Sequence, residues 1–248
     1  RYYVDNAADS VYELAAAGLV TVLASVSYVL AAGQEIETLT TTNALGLGAI
    51  NLTGNAFANV VAGNAGANIL NGGAGIDRHF GYGGADTYYV DNAADSVYES
   101  VGAGADRVLS SVSYVLAVGQ EIEILTTDNA NGLGAINFTG NAFNNTIGAN
   151  AGANIINGGL GNDALYGYGG NDIFVFDTAL NAATNRDTLG DFNAAADTIR
   201  LENTVFTLLT ATGALALNLF KNLNLAVQDG DDVILYNDTT GALFFDSN

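Results

Sequence analysis

A repeat of fixed period constrains this chain more than any motif in it. Shifted by 86 residues, the sequence lays Tyr2 to Glu13 onto Tyr88 to Glu99 without a change, and Ser25 to Ala31 onto Ser111 to Ala117. Ala49-Ile50-Asn51 falls on Ala135-Ile136-Asn137, and Asn71-Gly72-Gly73 on Asn157-Gly158-Gly159. The register does not slip over two copies, and a third begins at Asp172. Such a tandem array implies stacked modules, each burying its apolar surface against its neighbours.

A period of nine lies inside the long one. From Gly54 the chain reads GNAFANVVA, GNAGANILN, GGAGIDRHF and GYGGADTYY, and from Gly140 it reads GNAFNNTIG, ANAGANIIN, GGLGNDALY and GYGGNDIFV. Position six holds Asn59, Asn68, Asp77 and Asp86, then Asn145, Asn154, Asp163 and Asp172. Position eight holds Val61, Leu70, His79 and Tyr88, then Ile147, Ile156, Leu165 and Phe174. The frame continues to Asp95 and Val97 and, after the two-residue insertion Glu99-Ser100, to Asp106 and Val108. Six Gly- and Asx-rich residues make a turn able to enter φ > 0. The three that follow are too few for a helix and enough for a short strand with one inward side chain. Two such units per coil predict an all-β fold, a right-handed parallel β-roll (β-solenoid) whose coils stack at ~4.8 Å. Turns one coil apart then lie above one another, where position-six carboxylates and turn carbonyls form an oxygen-only cage suited to Ca²⁺.

Composition sets limits on function. The 248 residues carry 6 Lys+Arg against 26 Asp+Glu, a net charge of −20, which speaks against nucleic acid or an anionic membrane as a partner. No apolar run approaches the ~18 residues of a membrane span. With no Cys and one His, thiol chemistry, disulfides and multi-histidine zinc sites are excluded. The opening Arg-Tyr-Tyr stands in mid-pattern, so the sequence reads as a piece of something longer.

These nines resemble the RTX, or haemolysin-type, calcium-binding repeat G-G-x-G-x-D-x-U-x, closest at Gly72 to Asp77 and Gly158 to Asp163. The segment from Asp172, with Arg186-Asp187-Thr188-Leu189-Gly190-Asp191-Phe192 and Asp231 to Tyr236, resembles the C-terminal domain of serralysin-type secreted proteins. The resemblance implies calcium held between turns two units apart, and export by a type I secretion system. Carried over by residue, the turn of Asp77 stacks on that of Asn59 and below that of Asp95, and the turn of Asp86 on that of Asn68 and below that of Asp106. Asp163 and Asp172 stack on Asn145 and Asn154, with Asp187 as the next acid and Asp197 a further candidate. Gly73, Gly75, Gly84, Gly159, Gly161 and Gly170 would offer carbonyls. Position-six Asn in the first two turns of each copy removes a charge, so those turns are expected to stack as uncharged Asn ladders. Val20 stands where the second copy has Asp106, which removes that site from the first. The family's catalytic zinc domain has no counterpart here, and its terminal secretion signal is expected to lie beyond this sequence.

Blander readings accompany several residues. His79 occupies an inward slot and reads as a hydrogen-bonded core histidine rather than a ligand. Glu35-Ile36-Glu37 and Glu121-Ile122-Glu123 read as exposed strand faces with Ile turned inward, rather than as a glycosidase pair. Tyr82 and Tyr168 read as exposed turn aromatics. Val233 to Tyr236 and Ala242 to Phe245 flank a hairpin signal, and Phe206 to Leu209 and Leu215 to Phe220 read as short helices.

The domain reading is a first solenoid module at 1–86, a second at 87–175 and a small β-rich capping, secretion-associated domain at 176–248. The functional reading is non-enzymatic: a calcium-binding region of a secreted bacterial protein that folds on meeting calcium outside the cell and serves as an extracellular structural or adhesive scaffold. Two alternatives stay open. One is a self-associating surface-layer or filament subunit, and the other a glycan-binding accessory module using Tyr82, Tyr168 and the acidic face.

Overall fold

The computed structural model describes residues 1–13, 18–179, 181, 183–209, 213–214, 220–222, 234–237 and 242–245. They form two compact units, residues 1–175 with 180–199, and residues 176–179 with 200–248.

The larger unit is a parallel β-solenoid, as the nine-residue rhythm predicts, and no helix occurs among the described residues. Successive strands alternate between sheets. The first sheet runs through Tyr2–Val4, Thr21–Ala24, Thr38–Thr41, Val60–Ala62, Arg78–Phe80 and Ser96–Tyr98. The second runs through Tyr28–Val29, Leu52–Thr53, Ile69–Asn71, Thr87–Val90, Arg107–Ser110, Ile124–Thr127, Thr146–Gly148, Ala164–Tyr166 and Thr188–Leu189. A third takes over from the first in the alternation, through Tyr114–Val115, Phe138–Thr139, Ile155–Asn157 and Ile173–Phe176. Thr198 continues it by donating its N–H to the Asp172 carbonyl.

Position eight makes the core. In the first sheet Val22, Leu39, Val61, His79 and Val97 are direct partners strand to strand. In the second, Leu52, Leu70, Tyr88, Val108, Leu125, Ile147 and Leu165 form an unbroken column. Tyr114, Phe138, Ile156 and Phe174 line the third. All are buried, because they face their counterparts across a thin core; the four-residue strands bury a second residue two places on, such as Ala24, Val90 and Ser110.

The first and third sheets are separate where the modules meet. There the Tyr114 hydroxyl donates to the Asp95 carbonyl at 3.1 Å, as Tyr28 does to Asp9 at 2.9 Å. The module also changes side. Tyr28–Val29 opens the second sheet, whereas its repeat-mate Tyr114–Val115 opens the third.

His79 is fully buried in its column, but neither ring nitrogen has a hydrogen-bond partner, unlike the satisfied histidine expected. Its neighbours in the column are Val61 and Val97, which offer no polar atom on their side chains. In the smaller unit, Ile234–Asn237 and Ala242–Phe245 pair antiparallel as the predicted hairpin, and Phe220–Asn222 lies parallel to the former. Phe206 to Leu209 is a turn rather than a helix, with Phe206 and Leu209 buried. Four residues cannot close more than one helical turn, and tertiary burial decides their conformation. Residues 215–219, predicted helical, lie outside those described, and Phe220 is in a strand.

Candidate metal centres

The turns stack as the repeat arithmetic requires. A Cβ added to Gly73 would lie 2.2 Å from the Asn55 carbonyl oxygen, and one on Gly75 would lie 2.9 Å from that of Phe57. Gly84 approaches Gly66 in the same way, Gly159 approaches Asn141, Gly161 approaches Phe143, and Gly170 approaches Gly152, each eighteen residues earlier. These six glycines, all candidates from the sequence, have φ between 83° and 133°. Glycine is required there twice over, for the left-handed backbone and for the contact with the coil beneath. Tyr82 and Tyr168 occupy the position of Gly73 and Gly159 with φ of 73° and 66°, and their rings stand half-exposed.

Position six builds a ladder. Asp77 Oδ1 accepts the Asn59 N–H at 2.7 Å, and Asp95 Oδ1 accepts the Asp77 N–H at 2.8 Å. On the other edge Asp86 serves Asn68 at 2.7 Å and Asp106 serves Asp86 at 2.8 Å. In the second module Asp163 serves Asn145, Asp187 serves Asp163, Asp172 serves Asn154 and Asp197 serves Asp172, at 2.7 to 3.1 Å. All eight candidate aspartates therefore belong to one device, in which a carboxylate holds the amide of the turn one coil earlier.

The second carboxylate oxygen distinguishes them. Asp77, Asp86, Asp106 and Asp163 are almost wholly buried, and Oδ2 of each has no hydrogen-bond partner. At Asp77, Asp86 and Asp163 that oxygen sits over the position-one glycine of its own repeat. A Cβ on Gly72, Gly81 or Gly158 would lie 2.1 to 2.3 Å from it. Burial pushes Asp77 and Asp86 up to about 6 and Asp106 and Asp163 up to about 7, against partial relief from the amide each one holds. Asp172 rises to about 6 for the same first cause. The charged side chains that act on these five are all acids: Asp91 and Asp95 on Asp77, Glu99 on Asp86 and Asp106, Asp187 on Asp163, and Asp191 and Asp197 on Asp172. Burial also raises Asp187.

Among the described residues, two groups of three bring carboxylate oxygens within 4.8 Å of one another: Asp77, Asp91 and Asp95, and Asp86, Glu99 and Asp106. Asp91 and Glu99 are additions to the sequence reading. Asp91 lies at position two of its turn, outside the position-six series, and Glu99 lies in the insertion that breaks the frame. The donor set fits a hard divalent cation. It is all oxygen, it carries two or three negative charges per site, and its unpartnered buried oxygens cost free energy until a positive charge reaches them.

The asparagines of position six do a different task from the one expected. Asn59 Nδ2 donates to the Ile36 carbonyl at 2.5 Å, Asn68 to Ile50, Asn145 to Ile122 and Asn154 to Ile136. Asn68 and Asn154 also donate to the side chains of Asn64 and Asn150 within their own turns, at 3.1 and 3.0 Å, and a carboxylate could not replace any of the four because each partner is an acceptor. The paired glutamates are also reassigned. Ile36 and Ile122 are buried as predicted, but the segment is not a strand. Glu37 Oε2 holds the Val20 amide at 2.7 Å and Glu123 Oε2 holds that of Asp106 at 2.6 Å, each taking the place of a position-six acid.

No curated protein and no solved structure matches the chain. The RTX calcium-binding nonapeptide repeat matches residues 51–78 and 139–174, in 4 copies, and does not extend to the serralysin-like segment beyond. Residues 51–78 and 139–174 of this chain are RTX calcium-binding nonapeptide repeats.

Proposed function

We propose that this chain is the calcium-folded region of a secreted protein, non-enzymatic in itself, serving outside the cell as a structural or adhesive scaffold. The observation that carries the reading is the set of buried carboxylate oxygens without partners at Asp77, Asp86, Asp106 and Asp163. Each ion would bridge position-six acids of successive coils: Asp77 with Asp91 and Asp95, Asp86 with Asp106, Asp163 with Asp187, Asp172 with Asp197. The carbonyls of Gly73, Gly75, Gly84, Gly159, Gly161 and Gly170 would complete the shells. At −20 the metal-free chain repels itself, and each calcium bound on folding cancels charge where stacking concentrates it. Extracellular sites of this type bind at ~10⁻⁴ to 10⁻³ M, so the chain stays unfolded in a low-calcium cytosol and folds after export through a type I machinery. A capping role for residues 176–248 belongs to the same proposal.

The test is a calcium titration of the metal-stripped chain followed by far-UV circular dichroism, with magnesium as control. A cooperative gain of β-structure near millimolar calcium, absent with magnesium, is expected. A metal-stripped chain already fully β-structured at pH 7.5 and indifferent to calcium would overturn the reading. A second reading, glycan stacking, draws on Tyr82 and Tyr168, which keep exposed rings at positive φ where the preceding repeat uses glycine.

A further inference from the structure

The insertion Glu99-Ser100 does more than break the frame. Glu99 is itself buried, and its Oε2 accepts the hydroxyl proton of Tyr88, a fully buried member of the core column. A Cβ on Gly81 would lie 2.0 Å from the Tyr88 hydroxyl oxygen, 2.1 Å from Asp86 Oδ2 and 2.6 Å from Glu99 Oε2, so these three oxygens converge on one point. Asp106 completes the group, with Asp86 and Asp106 each presenting a buried Oδ2 that nothing in the protein satisfies. The single Tyr88 proton is spent on Glu99, which leaves three carboxylates and no positive charge in a closed space. A cleft of about 310 Å³, lined by Phe80, Tyr82, Tyr98, Glu99, Ser100 and Gln120, leads from the surface to Glu99.

The repeat supplies an internal comparison. In the first module Tyr2 donates to Glu13 at 2.7 Å, repeating the Tyr88–Glu99 pair, but Val20 stands where Asp106 does. In the third copy, Phe174 replaces Tyr88 and Asn185 replaces Glu99 together. Tyrosine and glutamate come and go as a pair, and only at the junction of the two modules does the full set Asp86, Tyr88, Glu99, Asp106 assemble.

We propose that Glu99 makes the module junction a cation site of its own kind, in which three buried carboxylates from Asp86, Glu99 and Asp106 hold one calcium-class ion more tightly than the two-aspartate turns do. The inference rests on the calcium reading above and adds a ligand that lies outside the nonapeptide frame. Its third charge is buried, whereas Asp91 in the other three-carboxylate group is exposed, so this site is the first to fill and the best suited to a trivalent ion, and the cleft gives the ion its route from solvent.

The test uses the full chain, titrated with calcium by calorimetry and with terbium by tyrosine-sensitised luminescence. The parent is expected to show one ion bound at least tenfold more tightly than the rest, with sensitised emission rising in that first step because Tyr88 touches the site. Glu99→Gln should lose that step while the weaker sites remain. Glu99→Asp, which keeps the charge and shortens the reach, should retain the ion about tenfold more weakly, and it decides the matter should Glu99→Gln fail to fold. Titrations of Glu99→Asp and of folded Glu99→Gln indistinguishable from the parent would overturn the inference while leaving calcium binding intact. A parent chain that binds neither ion would remove both.

Discussion

Protons should be able to stand in for calcium. Burial raises Asp77 and Asp86 to about 6 and Asp106 and Asp163 to about 7, from an ordinary value of 3.8. With folded values above the unfolded ones, the metal-free roll binds more protons than the unfolded chain between about pH 4 and pH 7. The stability these groups contribute is therefore complete below about pH 4 and lost as pH rises through 6 to 7. Raising a carboxyl this far corresponds to about 3–4 kcal/mol, and allowing half for screening by solvent leaves about 1.5–2 kcal/mol per group. Four such groups reach about 6–8 kcal/mol, on the order of the whole stability of a domain. His79 acts in the opposite sense. Burial lowers it to about 4, so its contribution is lost as pH falls, by about 2 kcal/mol at pH 5. The clean experiment is urea unfolding of metal-stripped His79→Leu, followed by circular dichroism at pH 7.5 and pH 5. Leucine is what the second module has in that slot, at Leu165. The expected result is a roll unfolded or marginal at pH 7.5 and several kcal/mol more stable at pH 5. Equal or lower stability at pH 5 would refute the argument that unpaired buried carboxylates oppose folding without metal.

Two substitutions probe the turns. Asn59→Asp sets a carboxylate against the Ile36 carbonyl in place of a 2.5 Å hydrogen bond, and should destabilise the calcium-loaded chain by about 2–3 kcal/mol without adding an ion to the calorimetric count. Tyr82→Gly removes a bulky residue from φ 73° and should raise the loaded chain's stability by about 1 kcal/mol in urea unfolding, a lower midpoint showing that the ring contributes packing that outweighs the strain.

Much of this architecture is legible in the sequence because the fold repeats one local rule. Position eight names the core residue of each coil, from Leu70 to Phe174, and position six names the turn acid whose amide partner lies one coil away, from Asp77 on Asn59 to Asp172 on Asn154. What the rhythm cannot carry is chemistry that crosses between frames. Glu99 reaches Asp86 only because the chain passes two strands and returns to the same edge between them, and Glu37 and Glu123 serve as turn acids from outside the nonapeptide pattern. The asparagines were open to misreading for a related reason. Their partners are carbonyls of Ile36, Ile50, Ile122 and Ile136, on long spacer segments that no nine-residue frame aligns. In Phe206 to Leu209 three apolar residues suggest a helix, and burial of two of them in a turn is enough.

The change of side between modules sets the mechanics of the array. A repeat that begins on one sheet in the first copy and on the opposite one in the second is related to its neighbour by a half rotation about the stacking axis with a rise of four and a half coils, ~22 Å at ~4.8 Å per coil. Any bend that the longer spacer coils impose on one flank is met by an opposing bend from the next module, so the curvature cancels in pairs. Surface features of the spacer alternate between the two flanks, and only modules two apart share an outlook. A rod built on this screw is straight without being symmetric within any one module, and it can be lengthened without acquiring a preferred inside.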